Sequence, residues 1–565
     1  MSHRPFVAAA VLVLTLTGYF WFPGHTYLEQ DTQVYLPILE HLWDREALAN
    51  DLLATRPHLS FTIYDEVALG LRRLTGAGFE TVLKAQQLLF RAAGILGVYL
   101  IAVSIGLSWR AGLLVAAAFS LGATVPGPAV LTVEYEPVPR GFAVPLLVFA
   151  TGLAAAGHVT AAAASASLAF LYHPPTTVPF WAVYAVIALR PSRPETMWRR
   201  IRGLFALAGA VMLMLVLSRL QSGATEAQPL FAAVDPSWEQ VQRTRAPYNW
   251  VSLWVSRYAA HYLLLWAVAL AAAVRMWGEM VEELKWLAVG MPLAGILSVP
   301  VSYFLLERWK WALIPQVQPA RALVFAVVFA LVLAGMAGAR AVRRGRSIEA
   351  LLWFAPVFAI PSNPTITDLL WPGFDNPMLV RRALAAGVLA AAAVAALRVE
   401  PRRPAVAALA VFAVALAPFW LIPVYGKLVN YPAPERAELE ELVEWARSES
   451  PPGAVFLFPD AARRTDPGVF RATALRAVYV DWKSGGQVNF LREFSKEWWS
   501  RWKGTMDPKS YDPARDYVAL GVDYVVLGRP LPGRTPVFEN ARYHVYGRRA
   551  DTPPPRVAGR APGRR

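Results

Sequence analysis

The sequence contains no cysteine, which excludes disulfide frameworks, thiolate metal sites, cysteine nucleophiles and iron–sulfur clusters. It is also poor in charge, since only 17% of its 565 residues are Asp, Glu, Lys or Arg, against about 25% in soluble domains. Hydrophobic residues instead make up 56% of the chain. This composition excludes an ordinary water-soluble globular protein and predicts an integral membrane protein.

Long apolar segments match the thickness of a bilayer, which a helix of about 20 residues crosses. The first, residues 6–22, has no small-residue cleavage site after it and is interpreted as an uncleaved span. The sequence predicts about thirteen transmembrane helices. The other twelve lie near residues 86–107, 111–126, 141–157, 159–172, 177–189, 203–220, 257–274, 286–306, 320–339, 347–361, 382–398 and 404–425.

The arginines indicate the orientation, because short cytoplasmic loops collect Lys and Arg. Clusters follow the sixth, tenth and twelfth spans, at residues 190–202, 340–346 and 398–403. A cytoplasmic N-terminus places all three on the cytoplasmic side. The loop at 275–285 departs from this rule, because its three glutamates outnumber Arg275 and Lys285. We expect a multi-pass membrane protein with a cytoplasmic N-terminus and an extracytoplasmic C-terminal domain.

Most of the net charge of +15 is accounted for by these loops and by the arginine-rich C-terminus. Nucleic acid is therefore not expected as a partner, whereas membrane lipids are.

Composition divides the chain into three regions. Residues 1–426 form the multispanning domain, with 23–85 as its first extracytoplasmic loop. Residues 427–547 have globular composition, and strand-like and helix-like segments alternate there, which predicts a small extracytoplasmic α/β domain. Residues 548–565 are rich in Arg and Pro and are predicted to be disordered. The C-terminal domain contains no recognisable catalytic triad or nucleotide-binding loop.

The first loop carries the most specific local pattern. Apolar residues recur at helical spacing from Val34 to Trp43, which predicts an amphipathic helix in the outer membrane interface. Glu29 and Asp31 stand at its start, close to the bilayer surface. An aspartate at this position is also a common N-cap, so a purely structural role for Asp31 stays open.

The acidic segment Glu29-Gln30-Asp31, followed by Tyr35 and an apolar helix in this topology, resembles the GT-C superfamily of membrane glycosyltransferases. Its members include aminoarabinose transferases and protein O-mannosyltransferases. The chain is also similar to a broad group of bacterial multispanning proteins, in the segments 31–37, 171–175 and 481–483.

The resemblance implies an inverting glycosyltransferase of the cell envelope. Its donor would be a sugar linked to a polyprenyl phosphate, and its acceptor a lipid, glycan or protein on the outer face of the inner membrane.

Under this resemblance Asp31 is the candidate general base, because an acceptor hydroxyl must lose its proton as it attacks the anomeric carbon. Glu29 is its possible substitute. Glu134 and Glu136 alternate in the loop before the fourth span and could hold a divalent cation, Mg²⁺ or Mn²⁺, together with Asp31. Some GT-C enzymes use a metal in this way and others do not.

The departing phosphate develops negative charge that cations or hydrogen-bond donors must stabilise. The candidates are Arg140, His173, Lys310 and Arg321, each at a predicted outer end of a span. Structural alternatives remain for them. Arg140 and Lys310 also suit interfacial anchoring, and His173 suits a proline-flanked helix end. For Arg321 a functional role is favoured, because an unpaired charge at the start of an apolar span is costly.

Two other functions are compatible with a multispanning chain: a transporter or flippase for a lipid or glycan, and a non-catalytic assembly subunit of an envelope-glycan pathway. The sequence has no inverted repeat, and charges in mid-span are few, with Arg91 an exception. Both observations disfavour transport.

Overall fold

The computed structural model describes residues 3–547 apart from 60, 192, 221–228, 371–375, 400–403, 427–435, 510, 513–514 and 516. The tail at 548–565, predicted to be disordered, lies outside the described residues. The described chain is mainly α-helical, with a small mixed sheet near the C-terminus.

The N-terminal half begins with a span, crosses to a folded loop and continues as packed helices. Its elements are α1 (Arg4–Phe20), α2 (Thr32–Trp43), α3 (Tyr64–Thr75), α4 (Phe79–Ser104), α5 (Trp109–Ser120), β1 (Thr124–Val125), β2 (Val130–Leu131), α6 (Pro139–Ala155), α7 (Val159–Tyr172), α8 (Pro174–Leu189), α9 (Pro194–Leu220) and α10 (Pro236–Arg245).

The second half completes the bundle with α11 (Arg257–Met276), α12 (Glu282–Ser302), α13 (Ile314–Val317), α14 (Leu323–Arg343), α15 (Ser347–Ala359), α16 (Thr367–Leu370), α17 (Pro377–Val399) and α18 (Pro404–Gly426). The C-terminal domain follows with α19 (Ala437–Glu449), β3 (Val455–Leu457), α20 (Asp466–Ala474), β4 (Ala477–Val478), α21 (Arg492–Thr505), β5 (Tyr524–Leu527), β6 (Phe538–Glu539) and β7 (His544–Gly547).

Seven helical segments of the described chain are long and apolar enough to cross a membrane. Six shorter apolar helices coincide with the other predicted spans; they are Arg4–Phe20, Trp109–Ser120, Pro139–Ala155, Val159–Tyr172, Pro174–Leu189 and Ser347–Ser362. A helical multispanning fold is thus confirmed, whereas the count of thirteen is not.

Small residues allow the central helices to approach closely. A Cβ on Gly97 of α4 would lie 2.5 Å from the Cα of Phe149 in α6, and one on Gly152 would lie 2.4 Å from the carbonyl oxygen of Gly97. Such backbone contact is typical of membrane bundles. α14 is buried from Leu323 to Val342 and forms the centre of the bundle.

The predicted helix of the first loop is present as α2, but its surroundings differ from the expectation. Residues on both of its faces are buried, including the polar Gln33, because α2 packs against α3 and against α20 and residues 484–489 of the C-terminal domain. A Cβ on Gly468 in α20 would meet Oε1 of Gln33 at 2.2 Å. Protein, rather than lipid headgroups and water, therefore covers much of this helix.

The C-terminal domain contains a five-stranded sheet in the order β4-β3-β5-β7-β6. β3 pairs in parallel with β4 and β5, and β7 pairs antiparallel with β5 and β6. Helices α19, α20 and α21 accompany the sheet, which agrees with a small α/β domain. Trp498 and Trp502 of α21 are buried and form part of its core.

Candidate functional site

A cavity of about 940 Å³ lies at the junction of the first loop, the membrane bundle and the C-terminal domain. The start of α2, the loop before α6, the turn before α8, residues 313–321 and residues 483–490 all contribute to its wall. Six of the residues singled out in the sequence line it: Asp31, Glu134, Glu136, Arg140, His173 and Arg321.

Asp31 occupies the N-cap position of α2, but its carboxylate makes no capping hydrogen bond. Oδ2 accepts a hydrogen bond from Nη1 of Arg140 at 2.9 Å, and Oδ1 lies 2.8 Å from Nζ of Lys483. Burial raises the pKa of the Asp31 carboxyl, yet attraction to Lys483 and Arg140 outweighs it, so this pKa lies well below its ordinary value. Asp31 is therefore an ionised carboxylate between two cations.

Arg140 is fixed from two sides. Pro139 begins α6, where a proline is well tolerated, and Arg140 follows it at the cavity wall. Its Nε donates to Oε1 of Glu134 at 2.7 Å, while Nη1 reaches Asp31. Gly141 allows this arrangement, because a Cβ there would lie 2.9 Å from the Cβ of Glu134.

Glu136 holds the turn that leads into α2. Its carboxylate accepts backbone N–H groups of Glu29 at 2.7 Å, Gln30 at 2.6 Å and Thr32 at 2.9 Å. Burial raises the pKa of Glu136 to about 7, although these hydrogen bonds oppose the rise. Its contacts make Glu136 an anchor for the backbone on either side of Asp31.

The carboxylates of this site do not fit a divalent cation in their present arrangement. Glu136 directs both oxygens at backbone amides, and Glu134 directs Oε1 at Arg140. Within the described ranges, no group of three or more His, Asp or Glu side chains is placed to hold a metal ion. Metal binding by Glu134 and Glu136 stays a prediction, and no step below uses it.

His173 and Arg321 form another part of the wall. His173 lies between α7 and α8, and its Nδ1 is 2.8 Å from Oγ1 of Thr176. Burial lowers the pKa of His173 to about 3, so its imidazole is neutral. Arg321, in the turn before α14, lies over the ring of Tyr248 at 5.2 Å, and its buried Nε has no hydrogen-bond partner in the part of the chain that the structure describes.

Glu29 and Lys310 lie elsewhere. Glu29 pairs with Arg436 at the start of the C-terminal domain, and neither residue is part of the cavity wall described above. Nζ of Lys310 lies 2.8 Å from Oε1 of Glu239 and 5.3 Å from the ring centre of Trp250. These contacts stabilise surrounding structure, and the roles predicted for both residues have no support from their positions.

Two further cations line the cavity, Lys483 and Arg245. Lys483 stands in the segment 481–483, one of the three segments similar to bacterial multispanning proteins, and the motif alone did not predict its place in this site. Arg245 ends α10 and donates to the carbonyl oxygens of Trp482 at 2.8 Å and Lys483 at 3.2 Å. No local sequence signal distinguishes Arg245 from the other arginines.

The charged wall has more cations than carboxylates. Arg140, Arg245, Arg321 and Lys483 face Asp31, Glu134 and Glu136. Arg140 and Lys483 are paired with carboxylates, whereas among the described residues no salt bridge to a carboxylate involves Arg245 or Arg321. This surplus of positive charge suits an anionic group.

The cavity also has an apolar side. Phe170 of α7 and Val211, Met214 and Leu215 of α9 line it. Several apolar side chains of α9 are exposed, including that of Leu215, which is 48% exposed, as expected of a helix in contact with lipid. The cavity therefore joins a polar, charged wall to a surface that faces hydrocarbon.

Comparison with known proteins finds similar folds and one domain match. The chain is similar to ArnT from Cupriavidus metallidurans in the apo state, with 15% identity and a TM-score of 0.46 over 96% of this chain and 97% of that one. A structure of the same protein bound to undecaprenyl phosphate gives 15% identity and a TM-score of 0.44 over the same shares, 96% and 97%.

Arabinofuranosyltransferase AftD from Mycobacteria is similar at 17% identity and a TM-score of 0.36, over 82% of this chain and 31% of that one. At these identities the similarities concern the fold alone. The model of a domain of unknown function, DUF6798, matches residues 437–504. No curated protein sequence matches the chain.

Proposed function

We propose that this protein transfers a sugar from a polyprenyl-phosphate donor to a cell-envelope acceptor. The observation that supports this proposal is the combination found in one cavity: an ionised carboxylate, a surplus of cations and an apolar side toward the membrane. The similarities in fold, all below a TM-score of 0.5, are not what it rests on.

Asp31 is the proposed general base. An acceptor hydroxyl loses its proton to the Asp31 carboxylate, and its oxygen forms a bond to the anomeric carbon of the sugar. The bond between that carbon and the phosphate oxygen breaks, and its electron pair stays on the phosphate. Attack from the face opposite the phosphate inverts the anomeric centre.

Arg321 and Arg245 are the proposed receptors of the donor phosphate, because neither is neutralised by a carboxylate in the described chain. Guanidinium groups at the cavity wall stabilise the charge that develops as the phosphate departs. A volume of about 940 Å³ is within the range of sites for small organic ligands and suits a sugar phosphate. The polyprenyl chain would leave along the apolar side, past α9.

The mid-span Arg91 does not favour the alternative of transport. Its guanidinium donates to the carbonyl oxygens of Gly24 at 3.0 Å and Glu134 at 2.6 Å. These contacts join the first loop to the loop before α6, so Arg91 has a structural role next to the site. We propose that the cavity opens at the outer face of the inner membrane, because His173 and Arg321 precede α8 and α14, whereas Arg190 and Arg343 stand at the other ends of these helices.

The test is native mass spectrometry of the full-length protein in lipid nanodiscs, titrated with undecaprenyl phosphate. We expect the wild type to retain the lipid and Arg321→Ala to bind it about tenfold or more weakly, because a charge-assisted hydrogen bond is lost. Arg308→Ala is the matched control, since Arg308 is exposed and contacts Tyr303 instead.

No retention by the wild type would refute the proposal. Equal losses in both variants would show that Arg321 has no special role in binding the phosphate.

A further inference from the structure

Lys483 reaches the cavity from the C-terminal domain. Its Nζ lies 2.8 Å from Oδ1 of Asp31 and 3.1 Å from Oε1 of Gln30, both in the first loop. The candidate base thus has two cationic partners. Arg140 belongs to the membrane bundle, and Lys483 belongs to the C-terminal domain, which is distant from Asp31 in sequence.

A buried charge network holds the backbone of Lys483 in place. Arg471 donates to Asp51 of the first loop, with Nε 2.8 Å from Oδ2, and it also pairs with Asp481. Oδ2 of Asp481 in turn accepts the backbone N–H groups of Lys483 at 3.0 Å and Ser484 at 3.2 Å. The side chains of Asp51, Arg471 and Asp481 are at most 1% exposed.

Such a buried network is costly unless every charge is paired. Here the pairing fixes a turn that projects Lys483 toward Asp31, and it joins that turn to the first loop. Asp481 and Lys483 both lie within the residues that match the domain of unknown function, 437–504.

The two cations beside Asp31 are held differently. Arg140 is restrained by Glu134 as well as by Asp31. For Lys483, the salt bridges found in the described chain involve Asp31 alone. A lysine also carries a compact charge on a flexible stem, unlike the planar fork of an arginine. Lys483 is therefore the partner that can move while its backbone stays fixed.

A carboxylate that keeps both cations is a weak base. It accepts the proton of an acceptor hydroxyl only if its stabilisation as an anion decreases during the reaction. A donor phosphate in the same cavity offers Lys483 a second anionic partner.

We propose that Lys483 is a mobile counter-ion that pairs with Asp31 in the empty site and with the donor phosphate when the lipid is bound. This inference rests on the proposed function. When the donor binds, the side chain of Lys483 moves and its ammonium pairs with a phosphate oxygen instead of Asp31. Asp31 keeps its ion pair with Arg140. Asp31 then takes the acceptor proton, while Lys483 stabilises the electron pair left on the phosphate as the bond to the sugar breaks. The C-terminal domain thereby completes the reaction site.

The test compares the affinities of three full-length variants for undecaprenyl phosphate in nanodiscs: Asp31→Asn, Asp31→Asn with Lys483→Met, and Asp31→Asn with Lys483→Arg. The asparagine removes the carboxylate that competes for Lys483, so we expect Asp31→Asn to bind more tightly than the wild type. Adding Lys483→Met should weaken binding by about tenfold or more, since a charge-assisted hydrogen bond is lost. In the same background, Lys483→Arg should keep most of the affinity that Lys483→Met loses.

The asparagine background decides between the two roles of Lys483. If Lys483 only neutralises Asp31, removing it from a site without that carboxylate leaves the affinity unchanged, and this result would overturn the mobile counter-ion while the donor proposal stands. No binding by either the wild type or Asp31→Asn would overturn both. Lys483→Gln replaces Lys483→Met if the methionine variant does not purify as a single species.

Discussion

The two ends of the membrane bundle both carry clustered charge, but they use it differently. The cavity end is defined by Asp31, Arg140, Arg321 and Lys483. The basic end contains residues 275–285 and the described arginines of the clusters at 190–202 and 340–346, with Gly106 and Arg343 in contact. The three glutamates in this range, which depart from the positive-inside pattern, all pair with arginines at or near the ends of α8, α9 and α14. Glu279 contacts Arg340, Arg343 and Arg344; Glu282 contacts Arg190; and Glu283 contacts Arg200.

The difference lies in what the charges surround. At the basic end, the ion pairs join the ends of neighbouring helices. At the cavity end, ion pairs are shared around a volume of about 940 Å³, and two arginines have no carboxylate partner in the described chain. Both ends contain acidic as well as basic residues. A surplus of cations beside an open volume is the feature that indicates a site for an anionic ligand.

The largest effect is expected for Asp31→Asn. The asparagine keeps the shape of the side chain but does not accept a proton, so the rate of transfer should fall by about 10²–10⁴-fold. The measurement follows the decay of polyprenyl-phosphate-linked sugar in membranes that contain the variant as the sole copy of the protein.

Glu29→Gln is the matched control for Asp31→Asn. Glu29 is an acid two positions earlier in the chain, and it pairs with Arg436 rather than with the cavity cations. We expect a rate close to that of the wild type. Equal losses from both variants would mean that acidity in this loop, rather than the position of Asp31, determines activity.

An intermediate effect is expected from the support beneath Lys483. A Cβ on Gly485 would lie 2.3 Å from the ring of Trp498, whose side chain is buried and donates to the carbonyl oxygen of Asp481 at 2.9 Å. Gly485→Ala should therefore lower the free energy of unfolding by about 1–3 kcal/mol, seen as a lower Tm of the purified protein.

Gly486→Ala tests whether that cost is specific to the contact with Trp498. A Cβ on Gly486 would have its nearest neighbour, Cγ2 of Val34, at 3.8 Å, an ordinary contact. Its Tm should stay near that of the wild type. A loss as large as that of Gly485→Ala would show that the turn itself, and not the packing on Trp498, requires glycine.

Local patterns predicted most of the helices and one side of the site. The apolar segments predicted the helices of the bundle, and the acidic start of the first-loop helix predicted Asp31 as a site residue. In the C-terminal domain, the predicted alternation of strands and helices agrees with the elements from α19 to β7. These features depend on periodicity within a single segment, which a sequence displays directly.

The partners of Asp31 depend on tertiary structure and could not be predicted in this way. Lys483 lies in another domain, and it comes close to Asp31 only because α20 packs on α2. The same limit applies to Glu136, which alternates with Glu134 as a pair of ligands would. Its carboxylate turns instead to the backbone of the first loop, because that loop packs against it.

The smallest effect is expected for Glu282→Gln at the basic end. The side chains of Arg190 and Glu282 are 43% and 42% exposed, and an ion pair so exposed contributes less than about 1 kcal/mol. We expect a Tm close to that of the wild type and an unchanged affinity for undecaprenyl phosphate.

Glu283→Gln, one position later, should lower the Tm more than Glu282→Gln does. Its partner Arg200 has a side chain only 6% exposed, so the substitution leaves a largely buried charge without its carboxylate. The affinity for undecaprenyl phosphate should again be unchanged, because both glutamates act on the far side of the bundle from the cavity. A loss of affinity in either variant would contradict the separation of the two ends and would indicate that ion pairs at the basic end control the cavity.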